Sequence, residues 1–282
     1  MIEKNENIKL ITLNYVKKTL PTRSKKSSKI DGGKVLIIGG GKNFFGAGII
    51  ATLAATKSGA GYTHLMTDFK EFPWLKFPDF IVHTFSSQKI NKYKDYVIGI
   101  GPGLGLTSPK KKIIATLIKN KLPKIIVDGD ALTILSQLKI KKLPSTWILT
   151  PHEGELARLM GTTSTKVKSD RFFYVRAAQK KFGCIVILKG AETFIADFDK
   201  TYAVSVGTKS LAKAGSGDAL VGVIAAMYAQ GLNPLDAAIT GCYLHGYSSR
   251  LWLKKNNDYL SMRPTDLIDM LPHAIYKLRR AF

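Results

Sequence analysis

The chain has 282 residues, of which 45% are hydrophobic, and a formal net charge of +23. This length and apolar content are enough for a buried core and exclude a disordered chain. The longest apolar runs are too short to cross a bilayer, and the N-terminus is charged where a signal peptide would be apolar. Cys184 and Cys242 lack the spacing of a disulfide framework or a zinc site. We therefore expect a globular protein of the reducing cytoplasm, without a membrane partner.

The positive charge favours anionic partners, which could be nucleic acid, an acidic surface or a phosphate-bearing small molecule. Lysine-rich runs such as TRSKKSSK at 22–29 have no interleaved aromatic residues. They are more typical of a solvated face than of a nucleic-acid surface, so no specific nucleic-acid partner is expected. A basic nucleic-acid-binding protein without turnover stays an alternative, and it predicts salt-sensitive binding.

Buried strands and helices alternate from residue 34 to residue 190. The apolar runs that predict strands lie at 34–40, 62–67, 80–85, 95–101, 124–130, 146–151 and 184–190. Helix-length segments between them lie at 46–59, 108–120 and 171–183. Continuous apolar strands that alternate with helices indicate a mainly parallel sheet with helices on both faces. The predicted fold class is therefore α/β.

The pattern changes after residue 190. Short alternating runs at 192–197 and 202–206 predict a hairpin. Three helices are then predicted at about 216–230, 234–253 and 264–280. No repeat or linker divides the chain, so we expect one domain over 21–282, with residues 1–20 as an appendage. Apolar helix faces near the C-terminus, including Trp252 and Leu253, suggest self-association.

Clusters of glycine and polar residues follow the predicted strands. They read GGGKNFFGAG at 39–48, GPGLG at 101–105, DGDAL at 128–132, TPHEGE at 150–155, LKGAET at 188–193 and KAGSGD at 213–218. Ligands of α/β proteins collect at the carboxyl ends of the strands. Each cluster alone could be a turn or a helix cap. Six of them in one chain favour a binding site.

The first cluster is neither of two well-known nucleotide loops. Gly41 and Gly46 have the spacing of a P-loop, but Ala47 and Gly48 stand where it needs Lys and Ser or Thr. A dinucleotide fingerprint fails because Phe44 occupies the position of its third glycine. Any nucleotide is therefore held in another way.

The cluster KAGSGD allows two interpretations. A helix that starts with glycines exposes amide hydrogens and the positive end of its dipole, so it can receive an anion. Alternatively, the side chain of Ser216 or Asp218 could cap those amides. These residues alone leave both interpretations open.

In order and spacing, the clusters resemble those of the ADP/ATP-dependent NAD(P)H-hydrate dehydratases of the ribokinase-like superfamily. The resemblance runs from about residue 20 to residue 246, and TPHEGE, LKG and GSGD are its most specific blocks. It implies a ribokinase-like three-layer sandwich. It also implies that phosphate passes from ADP or ATP, with Mg²⁺, to the ring hydroxyl of the S-epimer of hydrated NADH or NADPH. The phosphate then leaves and restores the dinucleotide.

The resemblance also implies roles for particular residues, with Asp218 as the catalytic base. The hydrate is expected to lie against Ala47, Gly103, Gly105, His152 and Asp218. The adenine nucleotide is expected to contact Lys189, Gly190, Ala191, Glu192, Thr193, Gly215, Ser216 and Gly217. Glu155 is expected to hold Mg²⁺ through water, or else to be an acid that the helix dipole favours in a first turn.

The chain departs from the family pattern in three places. These are Ser28-Lys29-Ile30, Thr208-Lys209-Ser210 and Ala214. We expect altered nucleotide contact there, with the fold retained. Residues 1–20 are too few for the epimerase domain that many relatives carry, so a separate epimerase is expected as a pathway partner. The resemblance also implies a homo-oligomer, with a tetramer favoured.

A thiazole or pyrimidine kinase of the same superfamily is the alternative enzyme. Such a kinase shares a base flanked by glycines. The presence of TPHEGE together with GPGLG argues against it.

Overall fold

A computed structural model describes residues 8–68, 79–138 and 140–280. Within these residues the chain forms one ten-stranded sheet. Its strands are β1 (Ile8–Leu10), β2 (Lys34–Ile38), β3 (Tyr62–Thr67), β4 (Ile81–Thr84), β5 (Val97–Ile100), β6 (Ile125–Val127), β7 (Ile148–Leu149), β8 (Ile185–Leu188), β9 (Thr193–Ala196) and β10 (Thr201–Val204). They lie in the order β1-β10-β9-β8-β7-β6-β5-β2-β3-β4.

Most neighbouring strands are parallel. Every pairing from β4 through β3, β2, β5, β6 and β7 to β8 is parallel. The antiparallel pairings are those of β9 with β8 and with β10, so residues 193–204 form the predicted hairpin. β1 then adds to β10 in parallel. The carboxyl ends of β2 and β5–β8 therefore meet at one edge of the sheet, where the predicted clusters lie.

Helices cover both faces of the sheet. They are α1 (Leu13–Thr19), α2 (Phe45–Lys57), α3 (Ser108–Lys119), α4 (Gly129–Gln137), α5 (Glu153–Met160), α6 (Ser164–Ser169), α7 (Arg171–Phe182), α8 (Ser216–Ala229), α9 (Pro234–Leu253) and α10 (Pro264–Arg280). None of these described helices is long and apolar enough to span a membrane.

The central strands alternate between two cores. Val35 and Ile37 pack with the buried residues of α2, α8, α9 and α10. Leu36 and Ile38, from the same strand, pack with those of α3, α4, α5 and α7. Successive side chains of a strand point to opposite faces, so an apolar run such as KVLII needs a layer of helices on each side. The predicted three-layer α/β sandwich is confirmed.

Part of the predicted N-terminal appendage packs on this fold. Ile8 pairs with Thr201 at the edge of the sheet. Val16 of α1 is fully buried, and the Tyr15 hydroxyl donates a 2.6 Å hydrogen bond to Asp236 of α9. The segment is too short to show a clear period in the sequence. Residues 8–20 therefore extend the sheet and cover α9.

The C-terminal helices are more buried than their sequence suggested. Trp252 is 9% exposed and belongs to the core cluster that includes α9 and α10. Leu253 packs against the same cluster. Trp252 is therefore a core residue, and the inference of an exposed apolar face at this position was wrong. The neighbouring Leu260 and Tyr259, 68% and 45% exposed, are the large side chains that reach solvent in this region.

Helices α2 and α8 approach each other very closely. A methyl group at Gly222 would lie 1.9 Å from the carbonyl oxygen of Ala51 and 2.9 Å from Cβ of Ala54. Only glycine allows this distance between the two backbones. Because α2 carries Ala47 in its first turn and α8 carries Asp218, this contact sets the separation of two predicted site residues.

We predict that Gly222→Ala lowers the free energy of unfolding by about 3 kcal/mol, because the added methyl group forces the two helices apart. Gly46→Ala is the matched control. A methyl group at Gly46, also in a helix, meets nothing within 4 Å. It should raise the free energy of unfolding by up to about 1 kcal/mol through helix propensity. Chemical denaturation followed by circular dichroism measures both, and equal stability of the two variants would contradict the close-packing argument.

Candidate active site

A buried charge cluster lies where β6, β7 and β8 end. The Lys189 ammonium lies 2.5 Å from Oδ1 of Asp128 and 3.7 Å from Oε2 of Glu155. The Thr150 hydroxyl donates a 2.7 Å hydrogen bond to the same Asp128 oxygen. Both carboxylates are buried, at 3% and 6% exposure. The cluster ties three strand ends together and places one cation among several acids.

Lys189 stays charged in this cluster. Burial alone would lower the pKa of its ammonium, but the charges of Asp128 and Glu155 outweigh burial and raise the pKa. A methyl group at Gly217 would lie 3.5 Å from the Lys189 nitrogen, so the cluster touches the start of α8. Lys189 is therefore not a solvated strand end, and its charge is available to an anion at the α8 terminus.

Helix α8 begins without a side-chain cap. Its N-cap, Gly215, is left-handed with φ 89°, and no side chain bonds to the first amides. The Ser216 amide donates to the carbonyl of Lys213 at 3.2 Å. Within the described part of the chain, the amides of Gly217 and Asp218 have no acceptor. The capping interpretation of KAGSGD was therefore wrong, and the terminus can receive an anion.

A buried histidine on α9 contacts the first residue of α8. Nε2 of His245, on α9, lies 3.0 Å from the carbonyl oxygen of Ser216 and 3.3 Å from its hydroxyl. Burial lowers the pKa of His245 to about 4, so the ring is neutral at neutral pH, and a proton on Nε2 is donated to the carbonyl. The Ser216 side chain thus faces α9. This role of His245 was not predicted, since a histidine in the apolar YLHG run resembles a core residue.

Asp218 stands in the first turn of α8 beside the cluster. Burial and then the negative charge of Asp128 raise the pKa of its carboxyl to about 6, while Lys189 acts in the opposite direction. A carboxyl group with a pKa near the working pH can accept and release a proton. The other acids that raise this pKa, Asp130 and Glu155, come from the neighbouring strand ends.

Two glycine loops, at 39–41 and 101–105, bond to each other beside the first turn of α2. The Gly40 amide donates to the carbonyl of Pro102 at 2.8 Å, and the Gly41 amide donates to that of Gly103 at 2.7 Å. Gly103 has φ 53°, and a methyl group on it would lie 3.0 Å from Cβ of Ala47. Residues 39–41, 101–105 and 47 form a glycine wall, in which backbone groups join the two loops and Ala47 adds a methyl group.

The same wall reaches the charge cluster through α4. The Gly105 amide donates a 2.8 Å hydrogen bond to Oδ2 of Asp130, in the first turn of that helix. Asp130 also contributes to the raised pKa of Asp218. The structure thus connects Ala47, Gly103 and Gly105 to the surroundings of Asp218.

His152 and Glu155 form a reciprocal cap on α5. Nδ1 of His152 accepts from the amides of Gly154 and Glu155, at 3.0 and 3.3 Å. Oε2 of Glu155 accepts from the His152 amide at 2.8 Å. With Nδ1 used as an acceptor, Nε2 of His152 carries the proton. The imidazole is 53% exposed, and its Nε2 lies 3.6 Å from Oε1 of Glu155.

The described residues do not form a magnesium site by themselves. They contain no group of three or more His, Cys, Asp or Glu side chains arranged to hold a metal. Glu155 also faces the Lys189 ammonium, which disfavours direct coordination of a second cation. The observed role of Glu155 is that of a first-turn acid in the α5 cap. Its contact to magnesium through water stays a prediction.

Arg171 braces the segment 188–193, which follows β8. It donates to the carbonyls of Leu188, Lys189 and Glu192 at 3.2, 3.2 and 2.9 Å. A 2.7 Å ion pair with Glu153 fixes its other end. A methyl group at Gly190 would lie 2.2 Å from the guanidinium, so a larger residue there would displace Arg171. Arg171 was not predicted from the sequence, because backbone carbonyls are most of its partners and every residue has one.

The remaining predicted nucleotide residues lie on this braced segment or at its exit. Gly190 and Ala191 are exposed, whereas Glu192 and Thr193 are half-buried. The Glu192 side chain accepts a 2.8 Å hydrogen bond from Ser205. The segment starts at Lys189, whose ammonium is next to Gly217, so it lies beside the start of α8. The structure therefore brings the predicted nucleotide residues onto adjoining segments.

The three departures from the family pattern lie in different places. Residues 28–30 precede β2, and Gly33 beside them packs on Ala229 at the far end of α8 from Asp218. Residues 28–30 are therefore remote from the candidate active site of the same chain. Thr208 is held to α9 by a 2.9 Å hydrogen bond to Ser249, whereas Ala214 is exposed at the rim of the α8 terminus.

A mainly parallel three-layer fold, with an uncapped glycine helix start next to a half-buried carboxylate, is the arrangement of a ribokinase-like protein. Residues 35–273 match the family model described as NAD(P)H-hydrate dehydratase. The chain belongs to this family.

Relatives and solved structures agree. The chain is 30% identical to the ADP-dependent (S)-NAD(P)H-hydrate dehydratase of Listeria monocytogenes, over 94% of this chain and 95% of the relative. A ribokinase-like superfamily protein from Enterococcus faecalis has a similar structure, with a TM-score of 0.89, 28% identity and 99% of each chain covered.

A further solved structure carries a dehydratase name. The ADP/ATP-dependent NAD(P)H-hydrate dehydratase of Bacillus subtilis, co-crystallized with ATP/Mg²⁺, gives a TM-score of 0.83 at 28% identity, covering 96% of this chain and 99% of that one. The chain spans about half the length of the bifunctional NAD(P)H-hydrate repair enzymes that it also matches, with 53% of the one from Thermofilum pendens.

We predict that Arg171→Lys speeds amide hydrogen exchange in residues 189–193 at least tenfold, because the single nitrogen of lysine cannot pair with Glu153 and bond to three carbonyls at once. Arg176→Lys is the matched control. Arg176 bonds in a similar way to the carbonyls of Asp197 and Lys200, at the other end of the hairpin. It should speed exchange at 197–200 and leave 189–193 unchanged. Hydrogen exchange followed by mass spectrometry separates the two segments, and unchanged exchange at 189–193 in Arg171→Lys would rule out the brace.

Proposed function

We propose that the protein is an ADP- or ATP-dependent dehydratase that restores NADH or NADPH from the S-epimer of its hydrate. The observation that carries the proposal is the uncapped start of α8, where the free amides of Gly217 and Asp218 lie beside the Lys189 ammonium. The family match and the names of the Listeria and Bacillus relatives support the substrate class. Within the described part of the chain, this terminus combines free donors, a cation and a titratable carboxylate.

In the proposed reaction Asp218 takes the proton of the ring hydroxyl. The hydroxyl oxygen attacks the terminal phosphoryl group, and the nucleotide leaves one phosphate shorter, as AMP from ADP or ADP from ATP. The amides of Gly217 and Asp218 and the ammonium of Lys189 stabilise the charge on the transferring phosphoryl oxygens. The ring carbon then loses phosphate while the adjacent carbon loses a proton, which restores the ring double bond.

The remaining assignments follow the geometry. The hydrate ring lies on the backbone wall of Ala47, Gly103 and Gly105, with Nε2 of His152 at its edge. The adenosine end lies along 189–193, which Arg171 holds in place. Glu155 would hold a nucleotide-bound magnesium ion through water, and the ion would supply charge neutralisation at the phosphates.

The proposal also includes a partner enzyme, a cellular compartment and an oligomeric state. A separate epimerase supplies the S-epimer, and the bifunctional repair enzymes among the relatives support such a paired activity. The protein works in the cytoplasm as a homo-oligomer, with a tetramer expected. The exposed Leu260 and Tyr259, 68% and 45% exposed, offer an apolar contact for such an assembly. Light scattering after gel filtration measures its mass.

The activity itself has a direct test. The protein is incubated with hydrated NADH or NADPH and with ADP or ATP, and the absorbance of the reduced nicotinamide is followed. Absorbance should return with at least one nucleotide, with one AMP or ADP formed per dinucleotide restored. No return with either nucleotide would contradict the proposal. Phosphorylation of a thiazole or pyrimidine alcohol in its place would select the kinase alternative.

We predict that Asp218→Asn lowers kcat by about 10³-fold, since the amide cannot accept the hydroxyl proton. Nucleotide Kd should change less than about threefold, because the free amides remain. Asp269→Asn, an exposed carboxylate on α10, is the matched control and should keep the wild-type kcat. The two constants come from steady-state kinetics and calorimetry. A near-normal kcat for Asp218→Asn would remove the base assignment.

The raised pKa of Asp218 predicts a pH profile. The base must be ionised, so kcat/KM should fall below pH about 6 and level off above it. The positive charge of Lys189 lowers this pKa. Lys189→Met should therefore move the inflection to higher pH and reduce the plateau. Lys180→Met, an exposed lysine on α7, should leave the profile unchanged. An inflection that stays in place without Lys189 would show that another group titrates.

A further inference from the structure

A cavity lies at the end of α8 that is remote from the candidate active site. Its volume is about 450 Å³, which is in the size range of small-molecule sites. The residues around it come from the segment after α1, the last turns of α2 and α8, and α10. Since α8 runs from Asp218 near its start to Met227 at this cavity, the two sites are separated by most of a helix of about 20 Å.

The cavity has an apolar interior and a cationic rim. Leu20, Met227, Ile275 and the ring of Tyr276 provide the apolar surface. The rim carries the side chains of Arg23, Lys57 and Arg279. An apolar interior with charges of one sign at its edge suits a ligand with an apolar body and an anionic group.

The two arginines are held in place by backbone carbonyls. Arg23 donates to the carbonyl of Gly59, and Arg279 donates to that of Pro21. Lys57 lies 3.6 Å from Asp269. The carboxylate of Asp31 also interacts electrostatically with Arg23. Three cations against these two carboxylates leave an excess of positive charge at the rim.

Capping of helix ends explains only part of this arrangement. Arginines near the last turns of α2 and α8 offset the negative ends of these helices. They do not account for a volume of this size beside close-packed helices. Nor do they satisfy Ser58, which is 1% exposed and whose hydroxyl has no hydrogen-bond partner among the described residues. Ser58 contributes to the cavity lining, and a buried hydroxyl ordinarily has a partner.

We propose that this cavity binds a small organic anion: an aromatic or aliphatic body in the apolar interior, with one carboxylate or phosphate between Arg279, Arg23 and Lys57. The ligand is distinct from the substrates of the candidate active site. The proposal does not depend on the dehydratase activity, and binding alone tests it.

The probes separate the body of the ligand from its charge. Calorimetry with the full chain compares 1-naphthyl phosphate and 1-naphthoate with neutral 1-naphthol and with inorganic phosphate. At least one of the two naphthyl anions should bind about tenfold or more tightly than naphthol and than inorganic phosphate. The stronger of the two shows whether the site takes a phosphate or a carboxylate. ADP in excess should not displace it. Displacement by ADP would assign the binding to the candidate active site and overturn the proposal.

Two variants locate the anion. Arg279→Met and Lys57→Met should each weaken binding of the preferred naphthyl anion about tenfold, because each removes one rim charge. Lys277→Met is the matched control, since Lys277 is exposed on the same helix and does not line the cavity. It should change the Kd less than twofold. Undetectable binding of both anions to the wild type, or the same Kd in all three variants, would overturn the proposal.

Discussion

The ion pair between Lys189 and Asp128 organises the functional end of this molecule. A buried carboxylate needs a partner, and here the partner is a lysine from the strand two places away in the sheet. The pair brings the ends of β6 and β8 together, and Thr150 adds the end of β7 through the same oxygen. It also sets the electrostatics of Asp218, since the two charges act on the pKa of its carboxyl in opposite directions. A structural ion pair and a tuned carboxylate thus share one lysine.

The start of α8 combines backbone freedom with rigidity. A left-handed Gly215 is needed to turn the chain and to fit against Pro264, where a methyl group would lie 2.7 Å from Cγ. His245 then holds the Ser216 carbonyl from the core side. Free amides bind an anion well only when they are already oriented, because their reorientation would cost energy during the reaction. Helix α9 therefore contributes to the site without facing the ligand.

Most of the fold could be predicted from the sequence. Strands such as 34–40 are apolar throughout and can only lie in a sheet covered on both sides. The N-terminal segment was missed because β1 has three residues, and its partner β10 is almost two hundred residues away in the chain. Trp252 was placed on the surface because nothing in its own sequence shows that it joins the core cluster of α9 and α10. Long-range packing decides both cases, and local patterns do not contain it.

The site shows the same limit. Glycines and acids at strand ends mark their positions in the sequence, because few other residues fit there. Arg171 and His245 could not be found in this way, since they act through carbonyl groups that every residue has. The choice between a capped and an open start of α8 depended on side-chain directions that only the folded chain defines.

The glycine wall at 39–41 and 101–105 has a consequence for side-chain exchange. A surface of peptide groups cannot be altered by exchanging side chains, and at Gly103 any side chain would collide with the carbonyl of Phe44 at 2.6 Å. Side-chain exchange can therefore reshape this surface at its margins, where Lys42 and Phe44 are exposed, whereas its centre offers only peptide groups.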